Sequence, residues 1–229
     1  MYKRQKKKDT SLLHHLVGSR SLVWNLAKND IKKKFAGSYF GVVWAFVQPV
    51  ITVLLYWFVF EKGLNSKATD LRTGIEIPFV LWLTAGLVPW FYFQEALNGG
   101  TGVLVEYSYL VKKVVFQIDM LPVVKMISAL FTHLFFVAFT MVLFICMGYM
   151  PDWYALQVVY YSFCMILFAT GLVYATSAVT VFFRDMKEVV GILLQIGMWV
   201  TPIMWNFETM VQIPGWAIAV LKLNPMYYI

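Results

Sequence analysis

Long uncharged apolar runs succeed one another along this chain, and the short polar stretches between them collect its charge. Residues 35–60 carry no charged side chain, and a spanning helix is expected over 41–60. Pro49 falls inside it and predicts a kink, which a membrane helix tolerates when neighbours re-satisfy the backbone. Further uncharged runs cover 77–94, 126–151, 153–183 and 189–207, and only His133 interrupts the apolar character of 126–151. Each is long enough to cross about 30 Å of hydrocarbon, and 153–183 is long enough that it must tilt or protrude. The runs are continuous rather than alternating, which excludes a β-barrel pattern. The predicted fold is an all-α membrane protein, a polytopic helical bundle with five spans.

Residues 208–229 break the pattern. Their longest uncharged piece, 209–221, is too short to span and contains Pro214-Gly215. It is expected to be an outer re-entrant or interfacial excursion. The sequence ends at Tyr227-Tyr228-Ile229 without a polar tail, and a sixth span is expected to be missing from it. One membrane domain over 1–229 is expected: a basic cytoplasmic segment and interfacial helix over 1–40, five spanning helices over 41–207, and the outer segment over 208–229.

Composition agrees with this. The chain is 60% hydrophobic and 14% charged, against about 25% charged in an average soluble domain. The net charge of +7 could point to nucleic acid, but ten of the 19 lysines and arginines lie in the first 34 residues, against the acids Asp9 and Asp30. A basic segment ahead of a spanning helix faces the anionic cytoplasmic leaflet, so membrane lipid and no nucleic acid is the expected partner. With the N-terminus inside, segments 1–40, 95–125 and 184–188 hold 15 of the basic residues, and the outer segments 61–76, 150–152 and 208–229 hold four. That excess fixes the expected orientation. The apolar runs are too many and too long for a cleavable signal peptide. Cys146 and Cys164 fall inside apolar runs and read as small buried hydrophobes; no metal-ligand spacing accompanies them.

Candidate chemistry is sparse. No Gly-Lys dipeptide occurs, so the phosphate-cradling loop of a P-loop ATPase is absent, and any ATP must be bound by another chain. Gly99, Gly100 and Gly102 are expected to let the chain leave the second span and turn. Over 21–34, Leu22, Val23, Leu26 and Ile31 alternate with polar residues, which predicts a helix in the membrane interface. Over 101–116, Val103, Tyr107, Leu110 and Val114 recur at helical spacing while Glu106, Lys112 and Lys113 project elsewhere. That apolar face could pack on the protein's own spans or dock into a groove on a soluble motor subunit. His133 lies deep in its span and reads as a satisfied polar contact or a proton relay. Glu95 ends the second span and is expected to be solvated there; Arg184-Asp185 ends the fourth and is expected to pair locally. Aromatics make up 18% of the chain. Most tryptophans should form interfacial belts. Trp57, Trp90, Trp216, Tyr227 and Tyr228 are the candidates for stacking on sugar along a path.

Residues 26–50, LAKNDIKKKFAGSYFGVVWAFVQPV, resemble the entry motif of ABC exporter permeases for O-antigen, capsule and teichoic acid. The matching residues are Leu26, Asp30, Lys32 to Lys34, Phe35, Ser38, Gly41, Trp44 and Pro49; Asn29 stands where the family usually has a basic residue, and Phe40 where it has Leu. Leu110-Val111-Lys112-Lys113-Val114-Val115-Phe116 followed by Leu121-Pro122 is a second match, with Gln117 in place of the family's Pro. Arg184-Asp185 is a third, and Thr201-Pro202-Ile203 with Leu223-Asn224-Pro225 a fourth. The resemblance implies six spans per subunit, a permease homodimer and separate nucleotide-binding ATPase subunits that carry ATP and Mg. This chain itself would bind no cofactor and no metal and would have no catalytic residue. The implied place is the bacterial plasma membrane, and the implied cargo a lipid-linked glycan or polyol-phosphate polymer. ATPase coupling is assigned to Asp30, Lys33, Glu106, Tyr107, Leu110, Lys112, Lys113, Arg184 and Asp185. An ABC exporter permease for small lipids or drugs would share the fold. A membrane-embedded glycan-transferring enzyme would need clustered acids or histidines at one face, and no such cluster is present.

Overall fold

A computed structural model of the chain describes residues 20–69, 74, 76–108, 118–205 and 214–229. Helix α1 covers Arg20–Lys34. A 3-10 turn, Gly41–Val43, leads into α2, Trp44–Trp57, which ends in the π-helical turns Phe58–Gly63. A two-residue antiparallel ribbon, β1 (Ala68–Thr69) and β2 (Glu76–Ile77), closes the following loop and is a small exception to the all-α expectation. Helix α3 is Phe79–Thr101 and α4 is Val103–Glu106. A 3-10 turn at Ile118–Met120 opens α5, Leu121–Cys146, and another at Trp153–Leu156 opens α6, Gln157–Phe182. Helix α7 is Met186–Val200 and α8 is Gly215–Lys222.

Among the described residues three helical stretches, Gly41–Gly63, Ile118–Cys146 and Trp153–Phe182, are long and apolar enough to cross a membrane. The helices of the bundle are inverted relative to those of a water-soluble protein. Leu54, Leu55, Phe58, Phe163 and Leu167 are exposed, while Thr84, Thr101, Ser128, Thr176, Ser177 and Thr180 are buried. In hydrocarbon an outward leucine costs nothing, and small polar side chains settle between helices where they find partners. Thr101 Oγ1 donates to Thr176 Oγ1 at 2.9 Å across α3 and α6. Helix α3 is the hub, with 13 of its 23 residues buried, and it packs on α2, α5, α6 and α7.

Several boundaries differ from expectation, each for a local reason. The second span does not stop at Gln94. Gly99 and Gly100 continue α3, and Gly102 alone lies in the turn after it. The third begins before Lys125, with Pro122 in its first turn, and ends at Cys146 because Gly148 takes φ +87° and reverses the chain. Helix α7 stops at Val200, seven residues short of the expected end. Pro202 holds Thr201 extended, and Thr201 caps the helix at ψ 131°. Cys146 is exposed and Cys164 half-buried, so neither is a core residue. The segment after α8 returns to the bundle: Met226 joins the main core, and Asn224 Nδ2 donates to Thr201 Oγ1 at 3.1 Å.

Candidate functional site

Of the apolar face expected on α1, Val23 packs inward with Leu26 beside it. Leu22 and Trp24 are exposed, and the buried stripe is Val23, Ala27 and Asp30, at i, i+4 and i+7. Val23 and Ala27 pack with Met120 and Val124 at the start of α5. This sets Asp30, one turn further on, against the same helix. Its carboxylate is almost fully buried and accepts from Lys125 Nζ at 2.6 Å and from the Tyr107 hydroxyl at 2.8 Å. Lys125 reaches Glu106 as well, at 3.0 Å. The ammonium groups of Lys33 and Lys125 stand 5.3 and 5.4 Å from the centre of the Tyr107 ring, within the range of a cation–π contact.

Three segments far apart in sequence therefore meet at one buried charge: α1, α4 with the turn after it, and the first turns of α5. Burial of a carboxylate is tolerated because two donors are held in place for it. Next to this cluster Lys34 Nζ donates to Glu95 Oε1 at 2.7 Å, tying the end of α1 to α3. Glu95 is thus paired, where solvation was expected. Both groups border a cavity of about 700 Å³ that Gln48, Asn98 and Lys187 also line. Among the described residues no three His, Cys, Asp or Glu side chains converge where a metal could sit.

Of the residues singled out for coupling, Asp30, Lys33, Glu106 and Tyr107 come together here. Leu110, Lys112 and Lys113 lie outside the described residues. Tyr107 is not an outward knob; it is buried with Val103 and Leu121, so at Val103 and Tyr107 the apolar face packs on the protein's own helices. Arg184 and Asp185 are exposed between α6 and α7, and no ion pair joins them. The aromatic candidates separate. Trp90 is buried, with its ring where a side chain at Gly197 would stand, so it belongs to the core and not to a path. Trp57 is half-buried under the ammonium of Lys62. Trp216 and Tyr228 are exposed, and Tyr227 and Tyr228 meet edge to face at 4.9 Å.

Sequence reasoning missed Lys125 and the Lys34–Glu95 pair. The available signal for Lys125 was a lone charge three residues after Pro122, flush against a long apolar run. For Asp30 it was the spacing to Val23 and Ala27, which puts an acid on the packed stripe.

The family model described as ABC-2 type transporter matches residues 21–229. O-antigen export system permease protein RfbA of Myxococcus xanthus is 26% identical to the chain over 94% of it and 79% of that protein's own length. The protein of the same name from Klebsiella pneumoniae is 21% identical over 88% of the chain and 74% of its own length.

Proposed function

The chain belongs to the ABC-2 type transporter family, and from that premise we propose that it is the permease subunit of an ATP-driven exporter for a lipid-linked polysaccharide or a teichoic-acid-type polymer. The observation that carries the cargo class is the similarity to O-antigen export permeases over 94% of the chain. ATP and Mg are assigned to a separate nucleotide-binding subunit, in keeping with the lack of a Gly-Lys dipeptide. The assembly is a homodimer of permeases with six spans each, in the bacterial plasma membrane, with the N-terminus cytoplasmic.

In this reading the buried ionic cluster carries the coupling. Tyr107 stands shortly before Leu110, Lys112 and Lys113 in the sequence, and its hydroxyl donates to Asp30 of α1. A push on that stretch of the chain from a nucleotide-driven partner reaches α1 through Tyr107 and α5 through Glu106 and Lys125. Helix α1 leads into the first span, so the movement arrives where the pathway would open. Arg184 and Asp185, exposed at the same end of the sequence-derived topology, are free to meet the partner directly.

Orientation has its own test. Cysteines placed at Asn65 or Asp152, in a background lacking Cys146 and Cys164, are expected to react with an impermeant thiol reagent from outside intact cells. Cysteines at Ser108 or Lys187 are expected to stay unlabelled. Labelling of Ser108→Cys from outside would reverse the topology and remove the coupling role of the cluster.

The cargo assignment is tested at the far end of the chain. Helix α8 has eight residues, about 12 Å of rise, so it cannot span, and it presents Trp216 at 72% exposure. Together with Tyr227 and Tyr228, Trp216 offers aromatic faces at the exit of a glycan path. A photoreactive residue at position 216 is expected to crosslink to polymer during ATP-driven export. Crosslinks to phospholipid alone would make this segment a lipid-facing cap.

A further inference from the structure

Two clefts, each open on one side, lie in tandem along the subunit and share a wall. One is the polar cavity of about 700 Å³ beside the ionic cluster. The other, about 420 Å³, lies between α3, α5 and α6 and reaches Tyr149 and Asp152 in the loop at the opposite end of α5. Val88 and His133 line both, so these two side chains form the partition.

Unsatisfied polar atoms collect at this partition. His133 Nε2 is 3.1 Å from Ser162 Oγ. Its Nδ1 makes no hydrogen bond of ordinary geometry, although the Val88 backbone stands beside it. The Tyr92 ring packs on His133 at 5.1 Å between centroids, and its hydroxyl, on the polar side, has no protein partner. Thr140, two turns along α5 from His133, lines the second cavity and its Oγ1 has none either. His133 and Tyr92 are 4% and 2% exposed. Native proteins rarely leave such groups unbonded. An apolar cavity stays dry, and the second is mostly apolar, so water is held there only where His133, Thr140, Ser162 and Asp152 line it; the first, with room well beyond the ~30 Å³ that a water occupies and with many polar groups, fills. Helix α3 is also weakened at this level. Pro89 has no N–H to give the carbonyl of Ala85, so the helix can flex beside Val88.

We propose that the ligand of these two cavities is water, and that each subunit carries its own hydrated path, interrupted only at the His133–Val88 wall. Tyr92 holds water on the side of the ionic cluster and Thr140 on the other. This path lies within one subunit and does not depend on what the exporter carries.

The test uses the full-length permease in sealed membrane vesicles, in a background lacking Cys146 and Cys164. Single cysteines replace Thr132 in the first cavity and Thr140 in the second. A thiol reacts as its thiolate, which forms in water, so both are expected to react with small methanethiosulfonates at least about tenfold faster than a cysteine at the exposed, lipid-facing Leu167. An impermeant reagent is expected to reach Thr140→Cys from one side of the membrane and Thr132→Cys only from the other. Adding His133→Ala should open the wall, so that both cysteines react from either side, while His133→Gln should keep the sidedness. If His133→Ala fails to insert, Val88→Ala reads the same wall. Cysteines at 132 and 140 that react as slowly as one at 167 would show the cavities to be dry and overturn the proposal. Sidedness unchanged in every wall variant that inserts would overturn the gate. None of these readouts involves polymer or ATP, so their failure is distinct from failure of the transport assignment.

Discussion

On the proposed transport role, Asp30→Ala is expected to abolish ATP-driven export while leaving nucleotide hydrolysis by the proposed partner subunit in place. The variant removes the acceptor for both Lys125 Nζ at 2.6 Å and the Tyr107 hydroxyl at 2.8 Å. The Lys125 side chain is only 12% exposed, so it cannot simply return to water. Truncating one member of a buried ion pair costs about 3–5 kcal/mol. Lys125 keeps Glu106 at 3.0 Å, but Glu106 is half-exposed and screened, so a loss of about 2–4 kcal/mol is expected here. Asp30→Asn keeps an acceptor for Tyr107 and gives up the charge, and should fall between wild type and Asp30→Ala. The exchange Asp30→Lys with Lys125→Asp should recover more export than either single change. Export and ATP hydrolysis in reconstituted vesicles, with thermal unfolding in detergent, separate the two roles of the residue. A drop in unfolding temperature with export intact would leave Asp30 as a structural tie and end its part in coupling.

The reason Asp30 was legible as a family match and not as a buried group lies in the solvent. Hydropathy says that a helix enters the membrane, because lipid accepts any apolar face. It does not say how the helix is rotated, since outward and inward faces can be equally apolar. Helix α6 is apolar on all sides, and nothing in its period distinguishes exposed Phe163 and Leu167 from buried Met165 and Ala169. The same ambiguity made Trp90 a path candidate when it is core. Rotation is decided by features that weigh little in a hydropathy pattern: a glycine, a threonine pair, one acid in register with two small apolar residues. The ends of helices were more readable where backbone chemistry sets them, as at Asp152, whose carboxylate accepts from Tyr154 N at 2.9 Å and caps the 3-10 turn that leads into α6. They were less readable at Gly99-Gly100, where glycine signals either a turn or a close helix contact.

That close contact gives the other large expected effect. A Cβ added at Gly100 would collide with Val173 Cγ1 and lie 2.8 Å from Cγ2. Val173 is fully buried on α6, and a β-branched side chain in a helix has one strongly preferred rotamer, so it cannot swing aside. Gly100→Ala must therefore push α3 and α6 apart. One residue on, the Thr101–Thr176 hydrogen bond of 2.9 Å bridges the same two helices and would lengthen with them. Overpacking of this kind costs about 1–3 kcal/mol, and the weakened bond adds about 1 kcal/mol. A clear fall in the unfolding temperature of detergent-solubilised protein is expected. Val173→Ala in the same chain should restore most of it, because the methyl groups that collide are then gone. Gly99→Ala is the control. Its Cβ would meet only Lys125 Cδ, at an ordinary 3.6 Å, and alanine is a better helix former than glycine by about 1 kcal/mol. The two neighbouring glycines should then respond in opposite directions. Equal responses would mean that Gly100 serves helix flexibility and that the seam between α3 and α6 is not closed on it.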